Sequence, residues 1–342
     1  MDFKDYHKTA GNWRLELARN ARKTKQVIAL FFLIYCFVGL IVDVVVLQSM
    51  YPGGTLSVYL KALLTFKAVP YATIIMLIIA WISLMITYAM YDKIMLLGTE
   101  YREILPNNAQ SLQEKQLYNV VEEMKVASGL KFMPKVYLIE ANYMNAFASG
   151  YSEKSAMVAI TRGLMEKLDR AELTAVMAHE LSHIRHQDIK LTLMVAVLSN
   201  ILLMVIDVLF YSVFFGRNDG DKKRDNSIVM VVMILRYVLP LITVVLALFL
   251  SRTREYMADS GCVELMRDND PMARALLKIS EDHEANADAY QQEYGRTPHE
   301  QVRQASYLFD PSSIDPIKSL NNLFSTHPAI DDRLKAIGFK KK

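Results

Sequence analysis

The chain alternates between long apolar runs and polar, charge-rich segments. Four runs are long enough to cross a bilayer as a helix, which takes about 20 residues. They are 27–47, broken only by Asp43; 69–91; 191–215, with Asp207 inside; and 228–250, with Arg236 and Pro240 inside. The segment between the second and third runs has different periods. Residues 135–140 and 156–161 read as short strands. Leu173, Val176 and Met177 recur at helical spacing, so 164–177 reads as a half-buried helix. The predicted fold is a mainly α integral membrane protein, with four transmembrane helices and an α+β domain holding a small sheet. The expected order is a basic N-terminus (1–26), a first hairpin (27–91), the first part of the polar domain (92–188), a second hairpin (189–251) and the rest of that domain (252–342).

Composition agrees with a membrane protein. Apolar residues make up 52% of the chain, high for a soluble protein, and a net charge of +3 points to no nucleic-acid partner. Cys36 and Cys262 are far apart, so they predict neither a disulfide framework nor a Cys-rich zinc site, and a reducing compartment fits. The first run is too long for a cleavable signal and no small-residue cleavage site follows it, so it reads as a signal anchor.

Lysine and arginine assign the sides. Lys4, Lys8, Arg14, Arg19, Arg22, Lys23 and Lys25 precede the first run, which keeps the N-terminus in the cytoplasm. The loop at 48–68 is then external, and residues 92–188 return to the cytoplasm. The second hairpin fits less simply, because its loop carries Arg217, Lys222, Lys223 and Arg224. It either crosses fully against the rule or is partly embedded; a full crossing is the expectation. Asp207 lies nine residues before Gly216 and Arg236 nine after Ser227, each about 13 Å from the loop along a helix. The two charges either pair across the hairpin or separately snorkel or face a polar cavity.

The candidate chemistry is His179-Glu180-Leu181-Ser182-His183. On a helix, residues four apart share a face, so two imidazoles can hold one zinc and the intervening Glu can reach a water beside it. A catalytic zinc takes a third protein ligand. Glu255 and Asp259 follow the fourth run and share a helix face. Glu255 can ligate, and Asp259 can take the free N–H of a ligand His; alternatively both are surface acids. If Glu255 ligates, the chain between it and His183 crosses the membrane an even number of times, and the site lies close to the membrane surface. Asn145 to Gly150, between the predicted strands, has the small residues of a close backbone approach, although Asn145 alone also reads as a turn residue.

With these motifs in hand, the chain resembles the HtpX-type membrane zinc metalloproteases, relatives of the CAAX prenyl proteases. The resemblance is carried by 144–150, 171–183, 251–259, and Ser325-Thr326-His327-Pro328 with Arg333, in the family's order. It implies a gluzincin-like cytoplasmic domain with one zinc per chain, held by His179, His183 and Glu255, with Glu180 as general base. It implies that Asn145, Ala146 and Phe147 form a sheet edge that holds the substrate backbone, and that His327 and Arg333 help hold substrate or oxyanion. It implies an enzyme of the bacterial cytoplasmic (inner) membrane, active in stress and quality control on misfolded or damaged membrane proteins or unfolded proteins. Membrane lipids would surround it, and its function would overlap with that of other membrane proteases. A dedicated maturation protease for one lipidated or membrane peptide, or a non-enzymatic zinc-containing scaffold, are the alternatives. Departing from the family's commonest form, His186 follows the motif and reads as a surface residue. The polar stretch 281–311 reads as an insert without chemistry.

Overall fold

The computed structural model describes residues 3–8, 13–95, 101–150, 152–215, 226–290, 308 and 327–341. The basic loop 216–225, Ser325 and Thr326, and the insert from 291 to 311 apart from Leu308 lie outside the described residues. Two compact units emerge: the first comprises 1–24, 88–192 and 248–342, the second 25–87 and 193–247.

In the first unit, β1 (Tyr6–Lys8) precedes α1 (Trp13–Met50), the helix of the first apolar run. After α2 (Leu56–Leu64) and α3 (Tyr71–Met95), treated below, the chain builds β2 (Tyr101–Ile104), α4 (Leu112–Ser128), β3 (Lys135–Ile139), β4 (Ala146–Ser149) and β5 (Met157–Thr161). The sheet order is β2-β3-β5-β4, with β3 and β5 parallel and the other pairs antiparallel. The two predicted strands are therefore central β3 and β5, rich in the branched residues that suit a buried sheet. Strand β4 lies at an edge.

Helices α5 (Arg162–Lys167) and α6 (Arg170–Arg185) follow. Asp169 starts α6 with a capping box: its carboxylate accepts from Glu172 N at 2.8 Å, and Glu172 accepts from Asp169 N at 3.0 Å. Such a cap contributes about 1 kcal/mol. The helix ends where Gln187 takes a positive φ of 55°, and α7 (Asp188–Phe215) begins at the next residue. The fourth apolar run continues without interruption into the polar segment that bears Glu255 and Asp259, as one helix, α8 (Asn226–Met266). Helix α9 (Asp270–Ala285) packs on α6, and α10 (Ile330–Ala336) leads into β6 (Phe339–Lys341), which pairs antiparallel with β1. Tyr6 Oη reinforces that pairing by donating to Asp331 on α10. At Gly261 an added Cβ would stand 2.5 Å from Ser182 Oγ, so glycine is what lets α8 approach the motif helix.

The second unit holds the apolar parts of α1, α3, α7 and α8, with α2 inserted where the sequence predicted only a loop. Tyr59 and Leu63 of α2 join a core that includes Tyr35, Val38, Met76, Leu202 and Val232. Asp43, the charge inside the first run, is buried at the N-terminus of α3. It accepts from Ala72 N at 2.7 Å, Thr73 N at 3.0 Å and Thr73 Oγ1 at 2.6 Å. A carboxylate there meets unpaired N–H groups and the positive end of the helix dipole. Outward faces carry large apolar residues, among them Phe32, Trp81, Val208 and Leu241, as lipid contact requires and aqueous contact disfavours. Among the described residues, three helices are long and apolar enough to cross a membrane: α1, α7 from Leu191, and α8. The fourth predicted crossing is α3, whose described apolar portion, Tyr71–Thr87, is shorter. Asp207 and Arg236 sit 2.8 Å apart, carboxylate to Nε, so of the two readings of these charges the structure has pairing.

Candidate active site

Helix α6 aims His179 and His183 from one face, and α8 brings Glu255 against them. The two Nε2 atoms are 3.1 Å apart. Glu255 places Oε2 3.7 Å from the first and Oε1 3.6 Å from the second. All three side chains are buried.

The other nitrogen of each imidazole faces a carboxylate. His179 Nδ1 lies 3.0 Å from Asp259 Oδ1, and His183 Nδ1 lies 2.8 Å from Asp188 Oδ2. A neutral imidazole that donates from Nδ1 keeps its lone pair on Nε2. Two lone pairs and a carboxylate then converge on one point, an arrangement that a bound cation or a shared proton relieves. Two nitrogens bound tetrahedrally to zinc would lie about 3.3 Å apart, given bond lengths near 2.05 Å. The donor set fits such an ion, and Glu255 Oε2 is buried without a hydrogen-bond partner.

Behind the carboxylates stand two arginines. Arg333 is buried and grips Asp259 with two bonds, Nε to Oδ2 at 2.9 Å and Nη2 to Oδ1 at 2.7 Å. Its Nη1 donates to the Leu308 carbonyl at 2.8 Å and lies 3.6 Å from Glu255 Oε2. Three of its five N–H groups are engaged with Asp259 and Leu308, so Arg333 braces the carboxylate behind His179, and two N–H groups remain for the substrate or oxyanion role expected of it. Arg254 Nε is 3.6 Å from Asp188 Oδ1, and the same guanidinium donates to Thr192 Oγ1.

Glu180 is fully buried beside this cluster. Burial raises its pKa to about 7, and the Glu255 charge adds to the rise. It accepts from the Ala148 backbone N–H, while its Oε2 is buried without a partner. A carboxyl of this kind is poised to take and return a proton near neutral pH. Burial pulls the pKa of His179 down. Burial acts the same way on His183, but Asp188 and Glu255 outweigh it and the net shift is upward. His327 places Nδ1 3.3 Å from Glu255 Oε2, at the rim of the ligand cluster.

One outward backbone group of the expected edge has a partner in the chain itself. Asn145, Ala146 and Phe147 are all buried. Thr161 N donates to Asn145 O, so Asn145 bonds toward β5, and by the alternation of an antiparallel pair Ala146 and Ala148 turn their backbone groups outward. Ala146 N donates to the Asn145 side chain at 3.0 Å, and Ala146 O accepts from Leu308 N at 2.9 Å. Leu308 lies in the stretch expected to carry no chemistry. His186, expected at the surface, is half-buried as the C-cap of α6, and its ring edge would sit 3.6 Å from a Cβ at Gly261. Asp188, Arg254 and Leu308 are the site residues that sequence reasoning missed. Asp188 left a signal, an acid shortly after the motif helix; Leu308 left only the short apolar run Tyr307-Leu308-Phe309 within a stretch read as polar.

Residues 111–339 match the family model for Peptidase family M48. A chain named Protease HtpX homolog from Helicobacter acinonychis (strain Sheeba) is 40% identical over 326 residues, 95% of this chain and 98% of that one. A Protease HtpX homolog from Listeria monocytogenes serotype 4a (strain HCC23) is 32% identical over 340 residues, 94% of this chain and 98% of that one. Among solved structures, the crystal structure of S. mikatae Ste24p matches with a TM-score of 0.47 and 17% identity, over 95% of this chain and 65% of that chain.

Proposed function

The chain belongs to peptidase family M48, together with the HtpX proteases, and from that membership we propose that it is a zinc-dependent endopeptidase cutting misfolded or damaged membrane proteins at the cytoplasmic face of the bacterial inner membrane. A membrane-bound protease is what the family and the apolar helices establish; the metal, side and substrates are our reading. The observation that carries it is the convergence of His179 Nε2, His183 Nε2 and a Glu255 oxygen on one point, with Glu180 beside them.

Bound there, zinc would act as a Lewis acid, polarising a scissile carbonyl and lowering the pKa of a nearby water toward 7. The chain's own residues do the rest. Asp259 and Asp188 hold the ligand imidazoles in one tautomer and orientation. Glu180 takes the proton of the attacking water and delivers it to the leaving amine, a role suited to a pKa near 7. His327, at the rim of the cluster, is placed to donate to the developing oxyanion.

Chain parity supports four crossings. Strand β1, before α1, pairs with β6, after α8, and the same unit contains 88–192. A crossing by α1 therefore demands a return before residue 101, and α3, at 25 residues, is about 37 Å long, enough for a hydrocarbon core of about 30 Å. Helices α7 and α8 make the second pair. The seven basic residues ahead of the first apolar run favour the cytoplasm for this side.

The test is zinc content and cleavage of casein or an unfolded membrane protein, for wild type and Glu180→Gln, with and without chelator. We expect about one zinc in both and chelator-sensitive cleavage only in wild type. Cleavage that survives chelation removes the metal mechanism. Zinc without cleavage in either protein favours a scaffold or a dedicated substrate.

A further inference from the structure

The outer edge of β4 is where an extended peptide would add as a strand, and the chain itself occupies it. Leu308 N donates to Ala146 O at 2.9 Å. Two residues along the same edge, the Ala148 N–H binds Glu180. Residues two apart on a strand are about 6.8 Å apart, so the Leu308 bond lies one strand period from the group that holds the general base. The Leu308 carbonyl accepts from Arg333 Nη1, the nitrogen that also approaches the metal-ligand carboxylate Glu255. Its side chain is 1% exposed. Leu308 thus does what one residue of a bound substrate would do: its N–H pairs with the edge strand, its carbonyl meets a cation beside the ligand set, and its aliphatic side chain is buried.

We infer that Leu308 is a resident pseudosubstrate on the β4 edge, and that a polypeptide binds by displacing it with an extended segment carrying a large aliphatic residue. The inference rests on the endopeptidase reading for its biological sense. The contact has a consequence that a purely structural role lacks. A peptide must compete with a tethered ligand, so weakening Leu308 raises apparent affinity by the fraction of protein it releases. If Leu308 instead serves to brace Arg333, weakening it loosens Asp259 and costs metal affinity.

The experiment uses the full chain, zinc-loaded, with Glu180→Gln so that binding is read without cleavage. The probe is a fluorescein-labelled peptide with the sequence of residues 304–312, followed by anisotropy. Leu308→Pro deletes the N–H that bonds Ala146; Leu308→Ala keeps the N–H and removes the side chain, a second variant should proline disturb folding. We expect tenfold or tighter peptide binding in both variants than in the Glu180→Gln parent. We also expect loss of binding when the leucine of the peptide is replaced by aspartate or N-methylated. Equal affinity in parent and variants overturns the inference, as does a tenfold drop in zinc affinity in the variants, measured with a competing chromophoric chelator. Tighter peptide binding in a protein whose wild type cleaves nothing would leave Leu308 as the occupant and remove the endopeptidase reading, so the two failures are distinct.

Discussion

The two histidines of the motif are held by the same sequence of groups, imidazole to aspartate to arginine, built from different parts of the chain. Behind His179 the support is long-range: Asp259 on α8 is gripped by Arg333 on α10 through two bonds of 2.7 and 2.9 Å. Behind His183 it is local: Asp188 stands one residue past the break between α6 and α7, and Arg254 approaches it only to 3.6 Å. Paired, short, buried hydrogen bonds to charged groups are the strong ones, so the first support is the more rigid. The second joins a candidate metal ligand to the first residue of α7, the helix of the third apolar run. The comparison teaches that the centre is stiff at the end fixed by the folded domain and looser at the end attached to an apolar helix.

The largest test asks whether the two supports serve one ion at all. Glu255→Ala should lower zinc affinity by more than the roughly 10–100-fold expected for a lost outer partner, read by chelator competition. Unchanged metal content would remove Glu255 from the ligand set. Next come the arginines. Arg333→Gln leaves Asp259 buried with its charge unmatched and should cost about 3–5 kcal/mol, whereas Arg254→Gln breaks a long contact to Asp188 and one hydrogen bond to Thr192 and should cost about 1 kcal/mol. Chemical denaturation of the metal-stripped protein compares them; equal losses would erase the distinction between tight and loose support.

A buried imidazole on α9 sharpens the contrast. His283 Nδ1 faces the Ile279 carbonyl at 2.9 Å where the ligand histidines face carboxylates, and burial lowers its pKa to about 4. The folded state holds it neutral while the unfolded chain protonates it near 6.5. Its contribution is complete above pH 6.5 and is lost as pH falls toward 4, up to about 3 kcal/mol. His283→Phe should flatten the acid limb of stability by that amount, measured by denaturation at pH 7 and 4.5; an unchanged limb would mean that other groups carry it. Smaller again are the supporting carboxylates. Asp259→Asn and Asp188→Asn should each weaken zinc binding about 10–100-fold, the former toward the upper end, without altering the stability of the metal-stripped Asp188→Asn protein. A larger effect at Asp188 would invert the ranking.

What the sequence revealed follows from the range of each interaction. His179 and His183 are legible as a candidate ligand pair because helical spacing alone places them together, and β3 and β5 because branched residues alternate with turn signals. Glu255 is legible as a candidate because it follows an apolar run that must return to the same side. The grip of Arg333 on Asp259 is not legible because the two are 74 residues apart, and the bond from Leu308 to β4 is not legible because Tyr307-Leu308-Phe309 is too short an apolar run to carry a period. Asp43 looks like a flaw in a membrane helix until the N-terminus of α3 supplies its three donors.

Asp43 and the pair in the second hairpin are charges in apolar runs resolved in opposite ways, and the last prediction uses that difference. Asp43 is buried against backbone donors, so its loss strands a helix terminus. Asp207 and Arg236 form an ion pair at 2.8 Å and remain 42% and 35% exposed. Polar contacts between membrane helices average about 0.6 kcal/mol in double-mutant cycles, because the separated helices find other partners. The Asp207→Ala, Arg236→Ala cycle should therefore return a coupling of about 0.6 kcal/mol, and each single variant should be less stable than the double, since each strands one charge in an apolar run. Unfolding in detergent or bicelles reads all four proteins. Strict additivity would mean that each charge is solvated separately by headgroups or water, and the observed contact would then contribute nothing to holding α7 against α8.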